Sequence, residues 1–323
     1  MRFPRLKLAG RPAVYHCISR IVGGQRLLGD LEKEQLRLLL RRQAAFCGLE
    51  VITYCFLDNH FHLLLRVPAQ LACTDQELVG RAVGFYGPKS PQAMALQEAL
   101  AAQGRLPDDL REGLGRRLGD VSAFMKEFKQ RFSRWYNRRH KRFGTLWAER
   151  FKSLLVEDTP EVVEKVAAYI DLNPVRAGRV RDPKDYRWSG YGEAMGGNRL
   201  AQRGLAGMAA GGEWGRMQAG YRAVLLVKSG WAGRSGKVAL DGATIRRGLA
   251  QGARLGLGQV LRLRVRYLSD GLVLGTRGYV EGLLGEFRDR FGPGRRSGAR
   301  GLRGLAGFEG LATLRDLRVR AVE

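Results

Sequence analysis

The sequence predicts an α+β protein: an antiparallel sheet with helices on one face, followed from about residue 196 by a mostly helical region. Three observations predict it. Strand-like and helix-like stretches alternate through the first 195 residues. Two strand-like stretches are separated only by Asp58-Asn59, a spacing that folds them back on each other as a hairpin. The helix-like stretches carry apolar stripes at helical spacing, so each has one face to bury against a sheet.

Taken in order, the run AVYHCISR over residues 13–20 reads as a strand. Residues 31–47 read as a helix with Leu36, Leu39 and Leu40 on one face. The hairpin strands occupy 50–57 and 60–67, and residues 69–119 form an insertion of short helices. A helix over 121–139 places Phe124, Phe128 and Phe132 four residues apart, a core stripe. A strand at 150–157 precedes a helix at 160–172. Thr159 is its N-cap, Pro160 suits its first position, and Glu161 complements the positive end of its dipole. The Gly- and Ala-rich stretch 196–215 reads as a linker that divides the chain into 1–195 and 196–323. In the second part, 244–255 and 279–291 read as helices of a small accessory DNA-binding region.

Charge narrows the partner. The 323 residues carry a formal net charge of +25. Residues 196–323 hold 23 Lys and Arg against 9 Asp and Glu, so +14 falls in well under half the length. A field of that sign gathers polyanions, and nucleic acid is the expected partner. No apolar run approaches the roughly 18 residues of a spanning helix. No export signal precedes the first strand, so a cytoplasmic protein without a membrane partner is expected. The four cysteines, Cys17, Cys47, Cys55 and Cys73, form no C-x-x-C pair and read as buried thiols.

Residues 59–67 read NHFHLLLRV. Alternate residues of a strand share a face, so His60, His62, Leu64 and Arg66 point one way and Phe61, Leu63, Leu65 and Val67 the other. Two imidazoles on one face can chelate a divalent cation, Mg²⁺ or Mn²⁺ where phosphate oxygens complete the shell; solvated or hydrogen-bonded histidines give the same pattern. Residues 162–178 read VVEKVAAYIDLNPVRAG. Tyr169 lies at the edge of the apolar stripe of Val162, Val163, Val166 and Ile170, and Asn173 is one turn on. Pro174 ends the helix there. A phenol so placed can attack phosphorus, or can merely pack.

The ordered motifs HFH, LWAERFKSLLVED, AYIDLNPVRAGRV and DYRWSGY together resemble the REP-associated tyrosine transposases, the single-tyrosine branch of the HUH (His-hydrophobe-His) endonucleases. The resemblance covers most of residues 11–191, and the tail sequence RYLSDGLVLGTRGYVEGLLGEF is similar to that of longer members. It implies a ferredoxin-like domain and metal-dependent cleavage and strand transfer of single-stranded or hairpin DNA through a 5′-phosphotyrosine. It further implies that His60 and His62 are metal ligands, that Asn173 is a further ligand and that Tyr169 is the nucleophile. A monomer and a homodimer both fit. The long 69–119 insertion and the long tail depart from the shortest members.

Other residues carry weaker signals. Arg131, Arg134, Arg138 and Arg139 on the aromatic helix could track a DNA backbone, as could Arg150, Lys152 and Arg176. Tyr136 on that helix is an alternative nucleophile. Gly236-Lys237 makes no phosphate loop, because Val238 follows and Trp231 stands where the leading glycine is required. The run GPGRRSGARG over 292–301 suits a flexible basic loop. A non-catalytic or domesticated nucleic-acid-binding protein, or a replication initiator or nickase, would share the charge and the fold.

Overall fold

The computed structural model describes residues 5–8, 10–209, 211–229, 266–269, 271–291, 298–302 and 310–315. The 244–255 helix, the 231–238 stretch and most of the 292–301 basic run lie outside the described residues.

β1 (Ala13–Arg20) is central because both of its edges are taken. β2 (Glu50–Phe56) and β3 (His60–Val67) form the hairpin, and β3 pairs antiparallel with β1, Arg20 opposite His60 and Ile18 opposite His62. β4 (Lys152–Val156) pairs antiparallel with the other edge of β1. Between these strands run α1 (Asp30–Cys47), the insertion helices α2 (Asp75–Tyr86), α3 (Pro91–Gln103) and α4 (Asp108–Gly115), and α5 (Val121–Arg139). After β4 come α6 (Pro160–Asp171), α7 (Asn173–Arg176), α8 (Gly190–Met195), α9 (Arg199–Ala206), α10 (Trp214–Ser229) and α11 (Arg266–Ser269). β5 (Gly271–Thr276), α12 (Arg277–Glu286), β6 (Arg300–Gly301) and β7 (Leu311–Arg315) close the described chain. The sheet order is β2-β3-β1-β4-β5-β7-β6, with β4 and β5 parallel and the other neighbours antiparallel.

Two expectations are corrected and a third is extended. Helices cover both faces of the sheet, not one. Phe61 meets Phe128 of α5 at 5.6 Å and Trp147 at 5.4 Å, whereas Thr53 on the other face donates to Asp171 of α6 at 2.7 Å. The cause is visible in β1, where every residue but Arg20 is buried: a strand apolar on both faces needs cover on both. The 196–215 stretch is not a loose linker. α9 lies against β2, and a side chain at Gly204 would strike the Val51 carbonyl. Its small residues permit close approach rather than flexibility. The C-terminal region is helical over most of its described length, yet β5, β6 and β7 extend the same sheet.

Local chemistry explains the boundaries. In α1 the Glu32 carboxylate accepts from the Gly29 amide at 3.0 Å, and Gly48, at φ 68°, ends the helix in the left-handed conformation. In α5 the Asp120 carboxylate accepts from the Ser122 and Ala123 amides. Thr159 occupies the cap position of α6 without a side-chain cap bond, and Pro160 takes the first turn. Pro174 does not stop the chain from coiling: the break falls at Leu172, and Asn173 opens one more turn with Pro174 near its start. Arg117 fastens the insertion to the body, lying 4.1 Å over the Phe46 ring and pairing with Glu127 at 2.8 Å. Among the described residues, no helix is long and apolar enough to cross a membrane.

Candidate active site

The pleat puts His60 and His62 on the face that α6 covers. Their rings lie 5.1 Å apart, centroid to centroid. His16 of β1 shares that face and joins them, its ring stacked 5.1 Å from His62. Tyr169 of α6 closes the group, its ring edge-on to His62 at 5.8 Å and to His16 at 6.0 Å.

Hydrogen bonds fix the tautomers. The Leu268 carbonyl in α11 can only accept, so the 2.9 Å contact makes His16 Nδ1 the protonated nitrogen. His16 Nε2 is then bare and accepts from His62 Nδ1 at 2.9 Å. His62 is left with a bare Nε2. His60 reaches the same state by another route. Asn59 Nδ2 donates to the Gly24 carbonyl at 3.1 Å, which turns Asn59 Oδ1 toward His60 Nδ1 at 2.6 Å. Neighbours thus hold both rings with an unprotonated Nε2, as a metal ligand requires.

Electrostatics keeps the rings neutral. Burial pushes His16 down to about 4. Burial, with Arg20 adding to it, takes His60 to about 4. Burial and the neighbouring His60 and His16 hold His62 well below 6.5. The donor chemistry fits a divalent cation held by His60 and His62. Among the described residues no group of three or more His, Cys, Asp or Glu side chains is arranged to hold a metal, so further ligands would be of other kinds.

Tyr169 is 2% exposed. Burial raises its pKa, opposed by Arg176, which hydrogen-bonds the phenol and lies 5.1 Å from the ring centroid. Asn173 is buried at the end of α6, where its Nδ2 donates to the Tyr169 and Ile170 carbonyls at 3.0 and 3.3 Å. Its Oδ1 remains the ligand-competent atom.

The other residues singled out by sequence separate into groups. Arg176 joins the site. Arg134, Arg138 and Arg139 are exposed along α5, and Arg150 and Lys152 are exposed at the start of β4. Arg131 is engaged elsewhere: it pairs with Glu127 at 2.7 Å and lies 4.4 Å over the Phe85 ring. Tyr136 stacks 4.2 Å from His140 in the aromatic cluster beneath the other face of the sheet, away from the histidine pair. Two residues were missed. Arg20, opposite His60, is an exposed cation beside the site. His16 carried a usable signal, a polar residue in the otherwise apolar run AVYHCI, on the face of Val14 and Ile18. Its partners stand 46 and 252 residues away, so no local pattern could supply them.

No protein-family model matches the chain, and a comparison with curated proteins finds no match. Among solved structures, that of a REP-associated tyrosine transposase bound to a REP hairpin aligns at 15% sequence identity over 62% of this chain and 90% of that one, with a TM-score of 0.38. The likeness is one of structure alone, and at that degree it carries no conclusion about activity.

Proposed function

We propose that the chain cleaves and rejoins single-stranded DNA, using Tyr169 as nucleophile and a divalent cation, Mg²⁺ or Mn²⁺, held by His60 and His62. One observation carries the reading: two adjoining neutral imidazoles with bare Nε2 atoms share a face of the sheet with Tyr169, whose ring meets that of His62 at 5.8 Å and whose phenol feels both Arg176 and Arg20. The order β2-β3-β1-β4, antiparallel throughout, supports a ferredoxin-like description of the first four strands.

A cation bound there would polarise a phosphate oxygen and offset charge developing at phosphorus. The side chains do the rest. Arg20 and Arg176 attract and orient the phosphate. Tyr169 Oη forms the new bond to phosphorus, the bond from phosphorus to the 3′ oxygen breaks, and the phenol proton leaves with that oxygen through solvent. The product is a 5′-phosphotyrosine and a free 3′ hydroxyl. Attack by another 3′ hydroxyl reverses the step, returns the proton to Tyr169 and joins new DNA. Arg176 lowers the cost of the phenolate that burial raises. Asn173 holds the end of α6 and so the register of Tyr169, and its Oδ1 is a candidate further ligand.

A second reading, a nucleic-acid-binding protein that does not cut, draws on the burial of Tyr169. A side chain so covered offers a phosphate little surface. One experiment separates the two. Labelled single-stranded hairpins from the flanks of the gene are incubated with the protein and Mn²⁺ or Mg²⁺, then denatured. An adduct that needs metal and is absent in Tyr169→Phe is the expected result. Binding without any adduct on every flank would transfer the case to the second reading.

A further inference from the structure

The turn after α5 leaves an aromatic side chain in water. Phe143 is 92% exposed, against 52% for Leu200, the next of the exposed large hydrophobic residues among those described. The turn is held in place. Arg142 N donates to the Asn137 carbonyl at 2.9 Å, and Asn137 Nδ2 donates to the Gly144 carbonyl at 3.0 Å. Lys141 adopts φ 48°, the only left-handed non-glycine residue among those described, and Gly144 adopts φ 87°. Such a conformation costs energy at a lysine, so the surrounding bonds impose it. Phe143 is therefore presented by a constrained backbone rather than by a frayed helix end.

Its surroundings are cationic. Arg134, Arg138, Arg139 and Lys141 are exposed on α5 and the turn. The chain beyond the turn is stitched to the end of β1: Val22 N donates to the Leu146 carbonyl and Ala148 N to the Arg20 carbonyl, each at 3.0 Å. Arg20 faces His60 across the strand pair. The segment that follows Phe143 is thus tied by its backbone to the end of β1, the strand that pairs with the histidine-bearing β3.

We propose that Phe143 is a stacking platform for an unpaired nucleic-acid base, with Arg134, Arg138, Arg139 and Lys141 tracking the adjoining phosphates. An exposed aromatic beside a line of cations is the chemistry by which single strands are bound without sequence preference. A membrane surface would take several apolar side chains together, but the neighbours of Phe143 are His140, Lys141, Arg142 and Gly144. The direction of the strand toward the histidine pair rests on the function proposed above; the stacking does not.

The test measures binding by the full chain without divalent cation, so that cleavage plays no part. Wild type, Phe143→Ala and Phe143→Trp are titrated onto fluorescent oligothymidylate, an abasic strand of equal length and a blunt duplex. Phe143→Ala should weaken binding to oligothymidylate on the order of tenfold or more, the worth of one base–aromatic stack. Phe143→Trp should restore it. The abasic strand and the duplex should bind wild type and Phe143→Ala equally. Equal affinity of wild type and Phe143→Ala for oligothymidylate would overturn the proposal, as would an equal loss on all three ligands. So would Phe143-dependent binding to anionic phospholipid vesicles without such dependence on the strand. The Tyr169 adduct is read separately with metal present, so its failure leaves this result standing.

Discussion

Three of the chain's four histidines meet on one face of the sheet, and their hydrogen bonds divide them between two tasks. His60 and His62 each keep a bare Nε2 available, whereas that of His16 is taken by His62. His16 spends both nitrogens, one on Leu268 and one on His62, and so acts on the site by positioning. Phe at position 16 would leave His62 Nδ1 without an acceptor and free its ring to turn or change tautomer. Divalent-metal affinity of His16→Phe should fall roughly 10- to 100-fold, the usual effect of losing such an outer partner. Gln offers an oxygen to His62 and an N–H to Leu268, so His16→Gln should recover most of that loss. Calorimetric titration of Mn²⁺ into the metal-free protein reads both, with circular dichroism to confirm folding. Unchanged Mn²⁺ affinity in His16→Phe would remove the positioning role. The sequence made His60 and His62 legible because they lie within one strand. The part played by Leu268, a backbone carbonyl far along the chain, leaves no mark on residue type at all.

At the scale of elements, α9 against β2 shows why a Gly- and Ala-rich stretch can mislead. Gly204 faces the Val51 and Ile52 carbonyls so closely that a methyl group strikes backbone, which cannot step aside. Gly204→Ala should therefore cost about 1–3 kcal/mol, the usual range for overpacking. Gly80, inside α2, has nothing within 4 Å of an added methyl group. Gly80→Ala should stabilise by about 0.5–1 kcal/mol through helix propensity. Urea titrations of the two variants, read for midpoint at constant slope, test the pair. Similar effects of both substitutions would mean that the α9–β2 contact does not constrain the fold. The same contrast explains what could be read in advance. The α5 helix was legible from the four-residue spacing of Phe124, Phe128 and Phe132, all fully buried. The helices on the second face were not assigned there, because alternation in β1 is masked when both faces are apolar. The strands β5 to β7 were missed because β5 is the short run GLVLGT, with glycine at two of six positions, and its partner β4 is remote in sequence.

For the whole molecule, the buried histidines tie stability to pH in a window where few other groups act. His16 and His60 are held near 4 in the folded chain, against an ordinary value of 6.5. Above about pH 6.5 both folded and unfolded chains carry them neutral, and their contribution is fully present. As pH falls below 6.5 the unfolded chain takes up protons that the folded one refuses, so stability is lost progressively until the folded rings protonate near 4. Each group gives up to about 1.4 kcal/mol per pH unit across that window. Asp120 and Asp182 are depressed below 3.8 by their hydrogen-bond and cationic partners, so their loss comes at lower pH and does not mask the histidines. The urea midpoint of the metal-free protein should accordingly fall between pH 6.5 and 4.5, and His16→Gln should show a shallower fall. Mn²⁺ should raise the midpoint at pH 7 and still do so at pH 5, losing the effect only as the folded His60 protonates near pH 4, where protons and metal compete for the same nitrogens. A midpoint flat from pH 6.5 to 5 would mean that the rings stay accessible to protons, and with it would go the case for a pair of neutral imidazoles prepared by burial to hold a cation.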